Sequence, residues 1–171
     1  MKQLLAAITV AVILAASSAS AFDPAHLKRL KETNECVGCE LSKARLISAD
    51  LTSANLSHAD LTYAALISAN LTGANLTYAD LTGAFLQHAT LTYADLTSAN
   101  LSNAFLNSAN LINANLTSAN LSNAFLTGAF LTFANLSGAN LAGADLSGAL
   151  MKSAILCNTT MPDGRVIYKD C

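Results

Sequence analysis

The residues in this chain with the types and spacing for chemistry are few. Cys36-Val37-Gly38-Cys39 has the CxxC spacing at which two thiols form a redox site, share a zinc ion or carry haem. Haem attachment needs His at the next position, which is Glu40. Zinc needs two further ligands nearby, and redox CxxC sites sit in thioredoxin-like folds. Histidine occurs only at His26, His58 and His88, and no nucleophile, base and orienting group can be assembled around any of them. Asp60 and Asp80 are the remaining candidates, as a carboxylate pair for a cation. Calcium takes about 6 to 8 oxygens, so a lone pair reads as solvated carboxylates. The expectation is therefore no catalytic residue, no cofactor-binding residue and no metal ligand.

The elements that must position these residues follow from a repeat. Every fifth residue from Leu41 to Leu146 is Leu, and the series continues through Met151 and Leu156. Every fifth residue from Ala44 to Ala154 is Ala, always two places before the next Leu or Met. A period of five fits neither the 3.6 of a helix nor the 2 of a strand, so five residues must form one side of something that turns a corner each time. Four such sides close into a square coil with Leu and Ala inside, and stacked coils share backbone hydrogen bonds at a spacing of about 4.8 Å. A coil of 20 residues has independent support in Phe85, Phe105 and Phe125, which interrupt a position otherwise usually Asn or Asp and would lie above one another. The same arithmetic stacks Asn55, Asn75, Asp95, Asn115 and Asn135 on another side, and Asn100, Asn120 and Asn140 on a third. It also sends His58 and His88 out from different sides and places Asp60 directly below Asp80.

The A(D/N)LXX pattern over residues 39–156 resembles the pentapeptide repeat family. The resemblance implies an all-β fold, a right-handed quadrilateral β-helix with the central Leu and the preceding Ala inside and the other three positions outside. These 118 residues at 20 per coil give about six coils and a rod on the order of 29 Å long. Ala is required where it stands because four Leu side chains already fill each narrow cross-section.

A stacked solenoid exposes an apolar cross-section at each end and needs caps. Asp23-Pro24 reads as an N-cap and first-turn pair, with Leu27 and Leu30 on one face of a short capping helix over residues 25–35. At the other end Met161-Pro162-Asp163-Gly164 reads as a turn, with Val166, Ile167 and Tyr168 available to lie back on the last coil. Exported members of the family have similar ends, with a CxxC before the repeats and a Cys-containing tail after them. Cys36, Cys39, Cys157 and Cys171 permit three disulfide pairings. The rod holds the caps much farther apart than the ~4.4 to 6.8 Å Cα separation of a disulfide, so Cys36 pairs with Cys39 and Cys157 with Cys171.

The N-terminus supplies Lys2, an apolar run from Leu4 to Ala16 broken only by Thr9, and Ala19-Ser20-Ala21, the three parts of a secretory signal peptide. The run is shorter than the ~20 residues needed to span a bilayer, so no membrane span is expected in the mature chain. The divisions are a signal peptide 1–21, an N-terminal cap 22–38, the solenoid 39–156 and a C-terminal cap 157–171. The protein is expected to be exported, either periplasmic or extracellular. Of its 171 residues 53% are hydrophobic and 12% charged, and the net charge is −2, which excludes disorder and leaves no basic excess for direct nucleic-acid binding.

Three surface readings follow. Some pentapeptide repeat proteins mimic duplex DNA and bind topoisomerases. Here only Asp50, Asp60, Asp80, Asp95 and Asp145 lie between Leu46 and Leu150, and export would separate the chain from such a target. Rows such as Thr52, Thr72, Thr92 and Thr77, Thr97, Thr117 resemble those of ice-binding solenoids, although Ile112 interrupts the first and Ser and Thr are ordinary at this position. The most informative feature is aromatic. Phe85, Phe105 and Phe125 form an outward ladder with Phe130 around the next corner and Phe133 on that neighbouring side, either open to a partner or covered by the C-terminal tail. The favoured reading is a non-enzymatic exported structural or interaction module whose face at Phe85, Phe105, Phe125 and Phe130 meets a protein partner or another copy. The DNA mimic is the first alternative, and the ice- or surface-binding solenoid is another.

Overall fold

From Glu35 to Thr160, every fifth residue is bridged in parallel to the residue 20 positions away, beginning with Glu35–Asn55 and ending with Asn140–Thr160. The structure is a computed structural model describing residues 22–171, so the expected signal segment lies outside the described residues. Four pentapeptides therefore make one turn of a continuous square coil. Helix α1 (Pro24–Thr33) precedes it, and strands β1 (Leu156–Thr160) and β2 (Val166–Lys169) follow.

One side shows why five residues suffice. Asp80 N–H donates down to the Ala59 carbonyl at 2.9 Å, while Leu81 and Gly83 N–H donate up to Asn100 and Ser102 at 2.7 and 2.9 Å. Ala84 N–H closes the β-turn onto the Leu81 carbonyl at 2.9 Å. Thr82 N–H donates to Asp80 Oδ1 at 3.0 Å. All five N–H groups are thus satisfied, so the corner costs no unpaired donor. Each turn requires positive φ two residues after the central Leu or Met, and every residue at that position has φ between 53° and 71°. This is the αL conformation at the third residue of a tight turn, where Gly and Asn are favoured.

The inward residues form one uninterrupted core. The Leu side chains from Leu41 to Leu141 are at most 2% exposed, and the core reaches down to Leu30 of α1 and up to Ala154. Asp23 caps α1 by accepting from Ala25 N–H at 2.8 Å, and Pro24 supplies its first turn. The helix stops at Asn34, φ 55°, whose N–H donates to Leu30; the expected end at residue 35 is therefore too late, because Glu35 already belongs to the first bridge. Cys36 and Cys39 are disulfide-bonded with Cα atoms 5.3 Å apart, and Cys157 and Cys171 with Cα atoms 4.8 Å apart.

The C-terminal tail departs from its expected course. The turn closes with Gly164 N–H donating to Met161 at 2.9 Å, but β2 pairs antiparallel with β1 instead of laying its apolar side chains on the core. Val166 and Tyr168 remain exposed and only Ile167 is half-buried. The reason is that β1 already provides the cover: Thr159 is fully buried, and its hydroxyl donates to the Leu136 carbonyl at 2.7 Å.

Candidate interaction face

The side of the coil that carries the aromatic ladder is built from the bridged row Arg45, Ala65, Phe85, Phe105, Phe125 and Asp145. Ring centroids are 5.1 Å apart from Phe85 to Phe105 and 4.9 Å from Phe105 to Phe125, with planes within 5° and 7° of parallel. Phe85 and Phe105 are half-buried by their neighbours, whereas Phe125 is 42% exposed. Phe130 lies on the adjoining side between Asn110 and Leu150, and it is 40% exposed, with Phe133 open beside it. The tail does not cover the ladder, since Asp145 stands above Phe125 and β1 continues the other two sides.

Phe at this position has a local cost. Where Asn or Asp precedes the Leu, its Oδ1 accepts the N–H of the residue after the Leu, as Asn75 does for Thr77 at 3.1 Å. Phe offers no acceptor, and the N–H groups of Gln87, Asn107 and Thr127 have no partner among the described residues. A hydrogen bond contributes ~0.5 to 1.5 kcal/mol net, and a stacked aromatic pair ~0.5 to 1.5 kcal/mol beyond its burial. The two nearly offset, so neither the core nor the turn selects Phe here. Gln87 Oε1, beside Phe85, is buried without a hydrogen-bond partner.

The ladder ends in charges. Arg45 is exposed and makes no ion pair among the described residues. Asp145 is also exposed, and hydrogen bonds from Ser147 and Thr127 hold its pKa below the ordinary carboxylate range, keeping it charged.

The other candidates are used by the fold itself. Asp60 and Asp80 are bridged neighbours, but they accept Thr62 and Thr82 N–H at 2.9 and 3.0 Å, and Asn100 also donates to Asp80. No group of residues suited to a metal ion occurs among the described residues. In the Thr rows, Thr52, Thr72, Thr97 and Thr117 donate their hydroxyls to the Asx two residues before at 2.6 Å and Thr77 does so at 2.8 Å, whereas Thr92 follows Thr90 and has no such acceptor. His58 stacks on Tyr78 at 5.0 Å, and His88 is exposed. His26 accepts Glu40 N–H at Nδ1, 3.0 Å, and so ties α1 to the open edge of the first coil. The Asx turns and the αL corners were missed from the sequence. Their signals were the Asn/Asp-Leu-Ser/Thr order and the Gly and Asn residues scattered at the second place after Leu.

A model of pentapeptide repeats matches eight copies over residues 39–77, 69–107, 94–132 and 134–162. Among solved structures, a pentapeptide repeat protein involved in heterocyst differentiation regulation in the cyanobacterium Nostoc sp. strain PCC 7120 is 38% identical, covering 78% of this chain and 70% of that one, with TM-score 0.45. A pentapeptide repeat protein from the cyanobacterium Cyanothece 51142 is 30% identical over 81% of this chain and 95% of that one, with TM-score 0.44. Another from the Arabidopsis thaliana thylakoid lumen is 32% identical over 64% and 69%, with TM-score 0.40. No curated protein matches the chain.

Proposed function

Because the chain belongs to the pentapeptide repeat family, we propose that it is an exported, non-enzymatic module, a rigid rod whose ladder face binds protein. The observation that carries this reading is the stack of Phe85, Phe105 and Phe125, open to solvent at Phe125 and continued around the corner by Phe130. Asn or Asp would serve the fold as well at that position, and covering exposed rings is favourable by ~25 cal/mol per Å² before association costs. The rod has about six coils, and its bridges begin at Glu35 and end at Thr160, a few residues beyond the expected 39–156 at each end; α1 and the Cys36–Cys39 clip close one end and the β1–β2 hairpin the other. Both disulfides favour an oxidising compartment, periplasmic or extracellular, reached by cleavage of 1–21.

The test replaces Phe85, Phe105 and Phe125 together by Asn. The far-UV spectrum should stay unchanged, because Leu and Ala are untouched, while recovery of protein partners, including further copies, from the exported fraction should fall. Equal recovery by both forms would move the binding surface elsewhere.

A further inference from the structure

The ladder side carries an order as well as an apolar surface. Along the rod its row runs Arg45, Ala65, Phe85, Phe105, Phe125, Asp145: cation, small residue, three rings, anion. The adjacent row on the same side runs Ile47, Ile67, Gln87, Asn107, Thr127, Ser147. Arg45 is the only basic residue directly before a repeat Leu or Met, so no other row at that position has opposite charges at its two ends.

Such a strip is complementary to itself when reversed. Rotating a second copy by 180° about an axis lying across the rod, in the plane of the face, inverts the order along the rod and keeps each row opposite its own counterpart. Arg45 then faces the partner's Asp145, Ala65 faces the partner's Phe125, and Phe85 faces the partner's Phe105. Small opposes large, and charge opposes counter-charge. In the adjacent row Gln87 faces the partner's Asn107, amide to amide. A parallel arrangement, with the axis along the rod, would set Arg45 against the partner's Arg45 and Asp145 against the partner's Asp145, and both contacts repel.

We infer that this face pairs with a second copy of the same chain, antiparallel, about a twofold axis midway between the levels of Phe85 and Phe105. This rests on the ladder face being the binding surface, and it names the occupant. A contact of this kind is isologous and closes on itself, so it yields a dimer and no fibre. Arg45 to Asp145 spans five coil steps, about 24 Å, and such a face covers on the order of 500 Å² per partner, at the low end of specific interfaces. The dimer is therefore weak and reversible, and two symmetry-related ion pairs at its ends set its register.

The experiment is sedimentation of the purified, disulfide-bonded protein over a concentration series at low and high salt. The expected result is a monomer–dimer equilibrium that weakens with salt. Arg45→Asp and Asp145→Arg should each weaken it about tenfold, since each reversal turns both end contacts repulsive, and the double variant Arg45→Asp/Asp145→Arg should restore it. Restoration also shows that neither single variant failed by misfolding. Two singles and a double that all dimerise like the parent would overturn the antiparallel register, as would a double that stays as weak as the singles. If replacing the three Phe residues by Asn abolishes dimers while the charge reversals do nothing, the face stands and the register falls. A monomer at every concentration, with partner recovery still lost in the Phe variant, overturns the second copy as occupant and leaves the face. Dimers that none of these changes affect overturn both.

Discussion

At Gly83 two constraints meet in one residue. Its φ is +63°, and a Cβ placed there would lie 2.5 Å from a ring carbon of Tyr63, which leans over it from the coil below. Gly83→Ala should therefore destabilise the protein by more than the ~1 to 2 kcal/mol that an αL conformation costs a residue with a Cβ. Thermal unfolding should show a lowered Tm, partly recovered in a Tyr63→Ala background, where the collision is gone but the φ remains. The Leu and Ala series were legible in the sequence because burial tolerates only those sizes, so the repeat is unbroken. The corner residue was not legible, since Gly, Ser, Asn, His, Tyr and Phe133 all occupy it. A backbone requirement leaves a weaker trace than a packing one, because any residue can meet it at a modest energetic cost.

At the scale of elements, the two caps are held by sulfur in different surroundings. Cys36 and Cys39 are 0% and 1% exposed beneath α1, whereas Cys171 is exposed at the end of β2. A thiol must reach a sulfur to exchange with it. Under a mild thiol reductant, Cys157 and Cys171 should accept alkylating label before Cys36 and Cys39. The released β2 should fray with the far-UV signal of the coils retained, because no coil bond depends on the bridge. Simultaneous labelling of all four would show that the buried clip is not protected by its position. The start of α1 could be read from Asp23-Pro24, a local signal. The bond from Glu40 to His26 and the course of β2 could not, since each is decided by which backbone edges the neighbouring coil leaves open.

For the molecule as a whole, every coil is stabilised by its two neighbours, and the core is a single column. Leu101→Asp puts a carboxylate where no water can follow, which should cost several kcal/mol, in the range of ~3 to 5. Hydrogen exchange should show protection lost first at residues 81–121 and retained longest toward α1. Uniform loss from end to end would mean that the rod unfolds as one cooperative block. The 20-residue bridge spacing has a genetic corollary. Which side a residue faces depends only on its position in a count of 20, so the surface is stored as a phase. An in-frame insertion of five residues near Gln87 would keep every Leu and Ala inside yet rotate everything downstream by a quarter turn. Phe105 would leave the column of Phe85, and Asp145 that of Arg45. An insertion of 20 would lengthen the rod by one coil and leave every column intact. Slippage of the repeat can thus redraw the outside of this protein without touching its interior, and the length of the slip decides which of its columns are inherited.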